Sequence, residues 1–435
     1  MNTKKPIRLI LPEMLVDKLN RTLDETPPNF SFRREYFYYL ISYLTQKQSQ
    51  NKDKEYLKLN MKILKNDTIN TINKYIIYLR QNNIFICDNL YAKGTKALEY
   101  NINPKLLKGI RIVEIIPNSN LYNKLKRKNH NRIAHNNQLS PHIKKMMQAF
   151  KKIELNYEEA IKWAHLEKDE VKKFYYLTSI YLIKDKRSRY FKRNKTNKRL
   201  DTNLTNLKSD LRQFIKGDFT SIDLKNSQPY LLSKLLQNLI QAPKDDITIP
   251  YSGVFSLFNP MLYFGLKAVT KIQKSLKISL FTKNVSFLEF CNSTLNGTLY
   301  DDLLSLTNSS SRIDMKKMIF IVFFSRNKVR KNNYDFIPYK KEKEIFSKPY
   351  PFVYETIKRL KEKDHSKLAI YLQRIESYIF IDTIAKRLVE ANIIPLTIHD
   401  SVLVPSEQSK EALSIIKDTF KKLFNEVPTF HIKPI

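Results

Sequence analysis

The chain has 435 residues, 42% of them apolar, which is enough for two or three domains that each bury a core. Its formal net charge of +35 favours a polyanionic partner such as nucleic acid, although codon bias towards Lys, Asn and Ile is an alternative source of part of the lysine excess. The two cysteines, Cys87 and Cys291, lack metal-ligand spacing, and there is no run of about 18 apolar residues. Composition therefore argues against structural zinc and a membrane span, and it predicts a cytoplasmic protein.

The first third of the chain predicts a small helical unit that ends in a hairpin. A helix is expected at 32–48, a short strand at 56–59, a turn of helix at 61–65 and an amphipathic helix at 68–81. Strands at 84–87 and 97–100 flank a turn at Gly94. Helix, helix and hairpin in this order resemble the winged-helix domains of plasmid and phage replication initiators, and we assign this domain to residues 1–115.

The winged-helix resemblance implies contact with a duplex origin sequence, through a helix in the major groove and a wing on the backbone. The polar positions that face away from its predicted core are Asn66, Asn70, Asn73, Lys74 and Arg80, with Lys93 and Lys96 on the wing. Winged helices also serve as dimerisation or protein-docking modules, and this helix is rich in Asn. Docking to a protein therefore stays as the alternative.

Further along, the chain alternates between helical and basic segments. Helices are expected over 140–183, and between Lys184 and Arg199 nine of sixteen residues are Lys or Arg. A strand at 219–222 leads into Asp223, apolar helices follow over 224–311, and a helix then begins near Arg312. Two apolar strands, at 394–398 and 402–404, enclose Asp400 in a hairpin.

Three segments carry residue types suited to phosphoryl transfer. Asp223 and Asp400 can clamp a pair of divalent cations, which that reaction requires roughly 3.5–4 Å apart. Arg312 and Lys316 lie one helical turn apart and can hold a triphosphate. Phe320 and Phe324 extend the same stripe and can stack on a base and sugar. A strand-end turn for Asp223, a turn for Asp400 and a solvated helix face for Arg312 are the structural alternatives.

The same segments resemble motifs A, B and C of the family A DNA polymerases and of the phage-type single-subunit RNA polymerases. Motif A corresponds to Asp223 through Gln228, and motif B to Arg312-x3-Lys316-x3-Phe320-x3-Phe324-Ser325, where the family has Tyr-Gly at the end. His399-Asp400-Ser401 has the RNA polymerase form of motif C. Gln228 has the size of the Glu by which the DNA enzymes exclude a 2′-hydroxyl, but not its charge, so the choice of sugar stays open.

Shorter matches extend the resemblance over roughly residues 185–435. Arg199-Leu200-Asp201-Thr202-x2-Thr205-Asn206-Leu207 resembles the approach to motif A in DNA polymerases, and Asp185-x-Arg187-x-Arg189 resembles an element of the RNA polymerases. Gln373 opens a helix at the place of a Gln that touches the primer–template. The implied nucleic-acid-binding residues are Arg187, Arg189, Arg199, Thr205, Asn206, Arg212 and Gln373. Ser227, Gln228, Phe320 and Phe324 would contact the substrate, and His399 would lie near the primer terminus.

The resemblance implies an α+β, multi-domain right-hand polymerase with an antiparallel-sheet palm and helical fingers and thumb. The thumb-like region would span 116–184 and the palm and fingers 185–435, with fingers at about 232–345. Two Mg2+ ions on Asp223 and Asp400, nucleoside triphosphates and a DNA primer–template would be its cofactors and partners. No clustered acidic pattern of a proofreading exonuclease precedes residue 185.

The function predicted is that of a compact DNA-dependent DNA polymerase of a plasmid or phage. A single-subunit RNA polymerase or primase is the first alternative, supported by His399-Asp400-Ser401. The second is an origin-binding initiator whose palm is catalytically inactive, which the replacement of Gly by Ser325 would permit.

Overall fold

The computed structural model describes residues 5–50, 55–91, 97–241, 260–264, 269–270, 284–307, 311–331 and 334–435. Helices combine with small antiparallel sheets, which confirms the α+β prediction. The chain forms two compact units. The N-terminal unit comprises Met1–Ser140, Phe150–Lys192 and Asp201–Lys216, and the C-terminal unit comprises Pro141–Ala149, Arg193–Leu200 and Gly217–Ile435. Within the described residues, no helix combines the length and the apolar character needed to cross a bilayer.

The N-terminal unit packs its helices around two small sheets. Its helices are Glu13–Glu25, Arg34–Gln50, Met61–Asp67, Ile72–Gln81, Asn120–Asn137, Tyr157–His165 and Glu170–Lys184. Ile7–Leu11 pairs with Arg111–Ile115, and Glu99–Ile102 lies between Leu57–Lys58 and Phe85–Cys87. Short 3-10 turns occupy Pro104–Leu106 and Ser209–Phe214. The unit boundaries fall within the helix Pro141–Lys152 and near the strands Phe191–Arg193 and Leu200–Thr202.

The helices and strands predicted for the first hundred residues are present, with shifted ends. The amphipathic helix begins at Ile72 and not at residue 68, because Thr68 is buried and turns its hydroxyl onto the carbonyl oxygen of Leu64. Tyr75 on its inner face packs against Phe37, with ring centroids 4.6 Å apart, which anchors this helix in the core. The turn at Gly94 and the residues Lys93 and Lys96 lie outside the described residues.

The C-terminal unit is built on a four-stranded antiparallel sheet, here called the central sheet. Its strand order is Leu396–Ile398, Ser401–Pro405, Phe219–Leu224 and Phe430–Pro434. The surrounding helices are Ser227–Gln241, Pro260–Phe264, Val285–Asn296, Leu299–Ser305, Arg312–Phe324, Lys340–Ser347, Pro351–Leu360, Ser366–Ser377, Ala385–Glu390 and Ser409–Phe424. A π-helical stretch, Tyr378–Ile384, joins two of them, a 3-10 turn occupies Ser406–Gln408, and Val329–Lys331 pairs with Tyr334–Phe336.

Alternation along the strand Phe219–Leu224 decides which residues reach the open face of the central sheet. Thr220, Ile222 and Leu224 are buried, whereas Ser221 and Asp223 point to the other face and are half-buried. Ile222 joins the apolar core of the unit together with Val402 and Val404 of the neighbouring strand. The strand pattern predicted from the sequence is therefore confirmed, and it leaves Asp223 accessible at the end of a buried strand.

Candidate active site

Asp223 and Asp400 lie beside each other at one end of the central sheet. Asp223 is the register partner of Ser401, the residue that follows Asp400, and the Leu224 amide donates to the Asp400 carbonyl oxygen at 3.3 Å. Opposed residues of an antiparallel pair have Cα atoms about 4.5–5.5 Å apart. The two ions of a two-metal site are roughly 3.5–4 Å apart. Two aspartates on neighbouring backbone segments are therefore suited to bind the same pair of divalent metal ions.

The connection at His399 and Asp400 is a two-residue hairpin loop, as predicted. His399 is exposed and has φ +58°, in the left-handed region that costs a side chain other than Gly or Asn about 1–3 kcal/mol. A positive φ at the first loop residue matches the twist of the flanking strands. The hairpin therefore holds Asp400 at a fixed position beside Asp223. On the same face the hydroxyl groups of Ser221 and Ser401 share a hydrogen bond of 2.7 Å.

The surroundings of the Asp400 carboxyl shift its proton equilibrium. Burial raises the pKa of Asp400 above its ordinary value, and this is the largest influence. Its own backbone amide, the guanidinium of Arg199, the hydroxyl of Ser227 and the ammonium of Lys316 oppose the shift. The effect of burial on the pKa of Asp400 is thus larger than the opposing effect of Arg199 and Lys316. A further positive charge next to the carboxyl group, such as a metal ion, would favour its ionised form.

The helix Arg312–Phe324 presents the predicted basic and aromatic stripe. Ser311 caps it by accepting a hydrogen bond from the Asp314 amide, so Arg312 is its first residue. Arg312 forms an exposed ion pair with Asp301 at 3.0 Å and lies 5.7 Å from the ring centroid of Tyr300. Lys316 is exposed one turn further on. The stripe therefore carries two cations at its amino-terminal end.

Phe320 and Phe324 continue that stripe and stack on each other. Their ring centroids are 5.7 Å apart with an interplanar angle of 26°. Both residues are half-buried, and Phe324 packs on the unit's core. A half-exposed aromatic pair offers a flat apolar surface on which a base can stack.

The helix Ser227–Gln241 begins directly after Asp223 with three buried polar residues. Asn226, Ser227 and Gln228 are at most 7% exposed. Gln228 donates through Nε2 to Glu376 Oε2, while its Oε1 accepts no hydrogen bond from the protein. Buried polar atoms without a partner are uncommon in native structures and call for a ligand or a bound water. The start of this helix therefore has spare hydrogen-bonding capacity next to the two aspartates.

Glu376 anchors this polar cluster from the helix Ser366–Ser377. Arg199 donates to both of its carboxylate oxygens, at 2.8 and 2.7 Å, in a bidentate pair. The side chain of Glu376 is only 1% exposed, and burial raises its pKa to about 7 although Arg199 and Gln228 lower it. Gln373 lies one turn earlier and accepts a hydrogen bond from Asn197 at 3.1 Å. Arg199 and Gln373 thus have protein partners in the C-terminal unit.

Two residues of the site received no role from the sequence. Glu376 follows the buried Leu372 and Ile375, and a carboxylate among buried residues indicates an ion-pair partner, which the sequence could not name. Tyr300 is buried, and both Asp223 and Asp400 raise its pKa while Arg312 lowers it. Its phenol therefore lies within electrostatic reach of the two aspartates and the basic helix end.

The remaining predicted nucleic-acid-binding residues belong to the N-terminal unit. Arg189 is buried and donates to the carbonyl oxygens of Ile183 and Lys151, at 2.7 and 2.8 Å, so it stabilises the local fold. Arg187 is exposed and pairs with Asp185 at 3.5 Å. Thr205 is buried and Arg212 half-buried, whereas Asn206, Lys74 and Arg80 are exposed.

The donor set at the two aspartates fits Mg2+. Carboxylate and hydroxyl oxygens are hard ligands, and Mg2+ is usually bound by one or two carboxylates together with waters and substrate phosphates. In the described part of the chain, no cluster of three or more His, Cys, Asp or Glu side chains is suited to a metal ion. Asp223 and Asp400 would therefore supply the protein ligands, and a bound triphosphate would supply others.

Comparisons with known proteins found a likeness among solved structures only. No model of a protein family and no curated protein matches this chain. Among solved structures, it is similar to the POL domain of Pol1 from M. smegmatis in complex with a DNA primer-template and dNTP, with 14% identity and a TM-score of 0.24. The match covers 61% of this chain and 52% of that one, so this chain spans about half the length of its neighbour. The likeness is weak, and the functional argument rests on the site itself.

Proposed function

We propose that this protein is a template-directed nucleotidyltransferase, and specifically a compact DNA-dependent DNA polymerase of a plasmid or phage that replicates without proofreading. The observation that carries the proposal is the adjacency of Asp223, on a strand of the central sheet, to Asp400, in the hairpin loop that precedes the neighbouring strand, with Lys316 within electrostatic reach of Asp400. Two carboxylates facing a cationic helix end form the minimal arrangement for joining a nucleotide to a strand.

The proposed architecture assigns a part of the chain to each step. The central sheet would be the palm of a catalytic domain at 185–435, the helices at about 232–345 the fingers and 116–184 the thumb. Residues 1–115 would form a winged helix that binds a duplex origin sequence, with Lys74 and Arg80 exposed on the helix Ile72–Gln81.

Each residue of the site would act on a distinct part of the substrate. Asp223 and Asp400 would hold two Mg2+ ions, which supply charge stabilisation for the transferring phosphoryl group. Arg312 and Lys316 would bind the triphosphate, and Phe320 and Phe324 would stack on the incoming base. Gln228 would lie beside the sugar, held by Glu376.

Primer extension tests the proposal directly. The purified full chain, given Mg2+, a primed DNA template and all four dNTPs, is expected to lengthen the primer to the end of the template. Denaturing electrophoresis of a labelled primer measures the products. Reactions with rNTPs in place of dNTPs, with and without primer, show whether the enzyme makes DNA or RNA and whether it needs a primer.

The alternatives predict different products in the same assay. Synthesis from rNTPs without a primer would favour the RNA polymerase or primase. Tight binding of a duplex with no incorporation of either nucleotide class, at any Mg2+ concentration, would favour the inactive initiator and contradict the proposal.

Replacing Lys316 with Ala tests the triphosphate contact. Loss of a charged hydrogen bond costs about 1.5–3 kcal/mol, so we expect kcat/KM for dNTP to fall roughly 10- to 150-fold, with a higher KM. Steady-state kinetics at varied dNTP measures this. Lys317→Ala is the matched control, because Lys317 is the next residue of the helix and its 66% exposed side chain lies 3.9 Å from Asp314. Equal losses in the two variants would contradict the assigned role of Lys316.

A further inference from the structure

A large recess of the C-terminal unit, here called the basic recess, lies where the chain leaves the helix Arg312–Phe324. Its volume is about 1020 Å3. Its walls come from the segment Arg326 to Lys328, from Ile337 and from residues 354–367, with Phe264 closing one side. None of these residues belongs to the candidate active site.

Positive charge dominates the lining of the basic recess. Three carboxylates, Glu355, Glu362 and Asp364, face a larger set of cations. The cations are Arg326, Lys328, Lys358, Arg359, Lys363 and Lys367, and burial lowers the pKa of the remaining basic residue, Lys361, to about 7. Glu355 pairs with Lys358 at 3.1 Å and with Arg359 at 3.0 Å.

The lining cations that form no ion pair among the described residues are mostly exposed to solvent. Arg326, Lys328 and Lys363 are exposed and Lys367 is half-buried. Among the described residues, none of these four has a carboxylate within ion-pair distance. Because the cations of the lining outnumber its three carboxylates, the excess positive charge favours a bound polyanion.

The floor of the basic recess is held by two buried lysines. Lys361 donates through Nζ to the carbonyl oxygens of Val322 and Ser325, at 2.5 and 3.0 Å, and Lys343 donates to that of Arg326 at 2.6 Å. Both ammonium groups satisfy carbonyl oxygens at the end of the helix, where the backbone is partially negative. These contacts fix the backbone that carries Arg326.

Two exposed aromatic residues lie close in the sequence to Ile337, which lines the basic recess. Phe336 and Tyr339 are 46% and 54% exposed, and Ile337 between them lines the wall. Tyr354, half-buried, forms part of the opposite lining. Basic grooves with accessible aromatic side chains are the arrangement by which proteins bind single strands without sequence preference, because every base can stack on a ring.

We propose that the basic recess binds a single-stranded nucleic acid, with Arg326, Lys328, Lys363 and Lys367 on the phosphates and unpaired bases stacked on Phe336 and Tyr339. A free polyphosphate would use the cations but leave these two rings unoccupied. A blunt duplex keeps its bases paired and offers none to the rings. The combination of charge and exposed rings therefore selects a single strand.

Fluorescence anisotropy with a labelled oligothymidylate tests the proposal on the full chain, without Mg2+ or nucleotide. This condition separates the outcome from that of the polymerase assay. Arg326→Ala/Lys363→Ala is expected to weaken binding and to reduce the salt dependence, log Kd against log salt, by about 1.4, since each single-strand phosphate contact contributes about 0.7. Phe336→Ala/Tyr339→Ala removes two stacking rings and is expected to weaken binding by about 30-fold or more. All four side chains are exposed, and circular dichroism verifies folding.

Lys410→Ala/Lys417→Ala is the matched control, because both lysines are exposed on another helix of the same unit. This control is expected to bind oligothymidylate as the wild type does and to change the salt dependence less than Arg326→Ala/Lys363→Ala. Equal weakening by the control would show non-specific attraction and overturn the proposal. A second outcome would also overturn the proposal. If the aromatic variant binds oligothymidylate as the wild type does, and Arg326→Ala/Lys363→Ala weakens binding of a blunt duplex as much as that of oligothymidylate, the recess is a general anion site.

Discussion

Replacing either Asp223 or Asp400 with Asn is expected to abolish primer extension, with a loss on the order of 10³-fold or more in rate. The amide keeps the shape of the carboxylate but removes the charge that holds a divalent cation. Neither aspartate can replace the other, since Asp223 lies on a strand of the central sheet and Asp400 in the hairpin loop beside it. Single-nucleotide incorporation under single-turnover conditions measures the loss.

A matched variant and a stability measurement make this result specific. Asp218→Asn is the matched control. Asp218 directly precedes the strand Phe219–Leu224 and accepts a hydrogen bond from Ser406 at 2.7 Å, and the variant should extend primers normally. Burial raises the pKa of Asp400, so the ionised carboxylate destabilises the folded state as pH rises above the ordinary value of 3.8. Asp400→Asn removes that cost and should melt no lower than the wild type at neutral pH without Mg2+. Full activity in either active-site variant would exclude this site.

Removing Arg199 is expected to destabilise the protein by about 3–5 kcal/mol, because it leaves Glu376 as a buried charge without its ion-pair partner. The side chains of Arg199 and Glu376 are 18% and 1% exposed, so little water can replace the guanidinium. Gln228 remains as a neutral donor to the carboxylate. Chemical denaturation of Arg199→Ala at several pH values measures the effect.

The pH dependence of this loss has a definite sign. The pKa of Glu376 is raised from 4.5 to about 7, so the stability present below the ordinary value is lost as pH rises through 7. Without Arg199 the ionised form is still less favourable. Arg199→Ala should therefore lose most stability above pH 7 and regain part of it in acid, where Glu376 takes up a proton.

Two further variants separate the buried pair from ordinary surface charge. Arg199→Met/Glu376→Leu replaces the pair with apolar side chains and should recover much of the lost stability. Lys422→Ala removes an exposed pair with Asp418 at 2.8 Å and should cost less than about 1 kcal/mol. A destabilisation of Arg199→Ala that is small and independent of pH would contradict the buried-pair account.

Local pattern was sufficient to predict the elements that carry the site. The strand pattern of residues 219–222 predicted the strand that carries Asp223, and the apolar residues around Asp400 predicted a hairpin. The helix from Arg312 was predicted from the four-residue spacing of Arg312, Lys316, Phe320 and Phe324. These signals lie within a few residues of one another, and secondary structure responds to them directly.

Element ends were predicted less well. The helix that contains Gln373 begins earlier, at Ser366, and continues through the π-helical stretch Tyr378–Ile384. The helix predicted at 68–81 begins later, at Ile72. At Ser366 the backbone amide and the hydroxyl donate to the Asp364 carboxylate, at 2.9 and 2.7 Å, whereas the later start at Ile72 goes with the burial of Thr68.

By itself, the sequence determined the types of residue available for catalysis, the strands and helices that carry them, and a surplus of positive charge suited to nucleic acid. Only the tertiary structure decided their partners. Arg199 meets Glu376 across 177 residues of chain, and Gln228 meets the same carboxylate across 148. Arg189 became a buried fold-stabilising residue, and Glu376 an anchor of the site. Such pairings depend on which surfaces the core brings together, and that is a property of packing in three dimensions that no short-range pattern encodes.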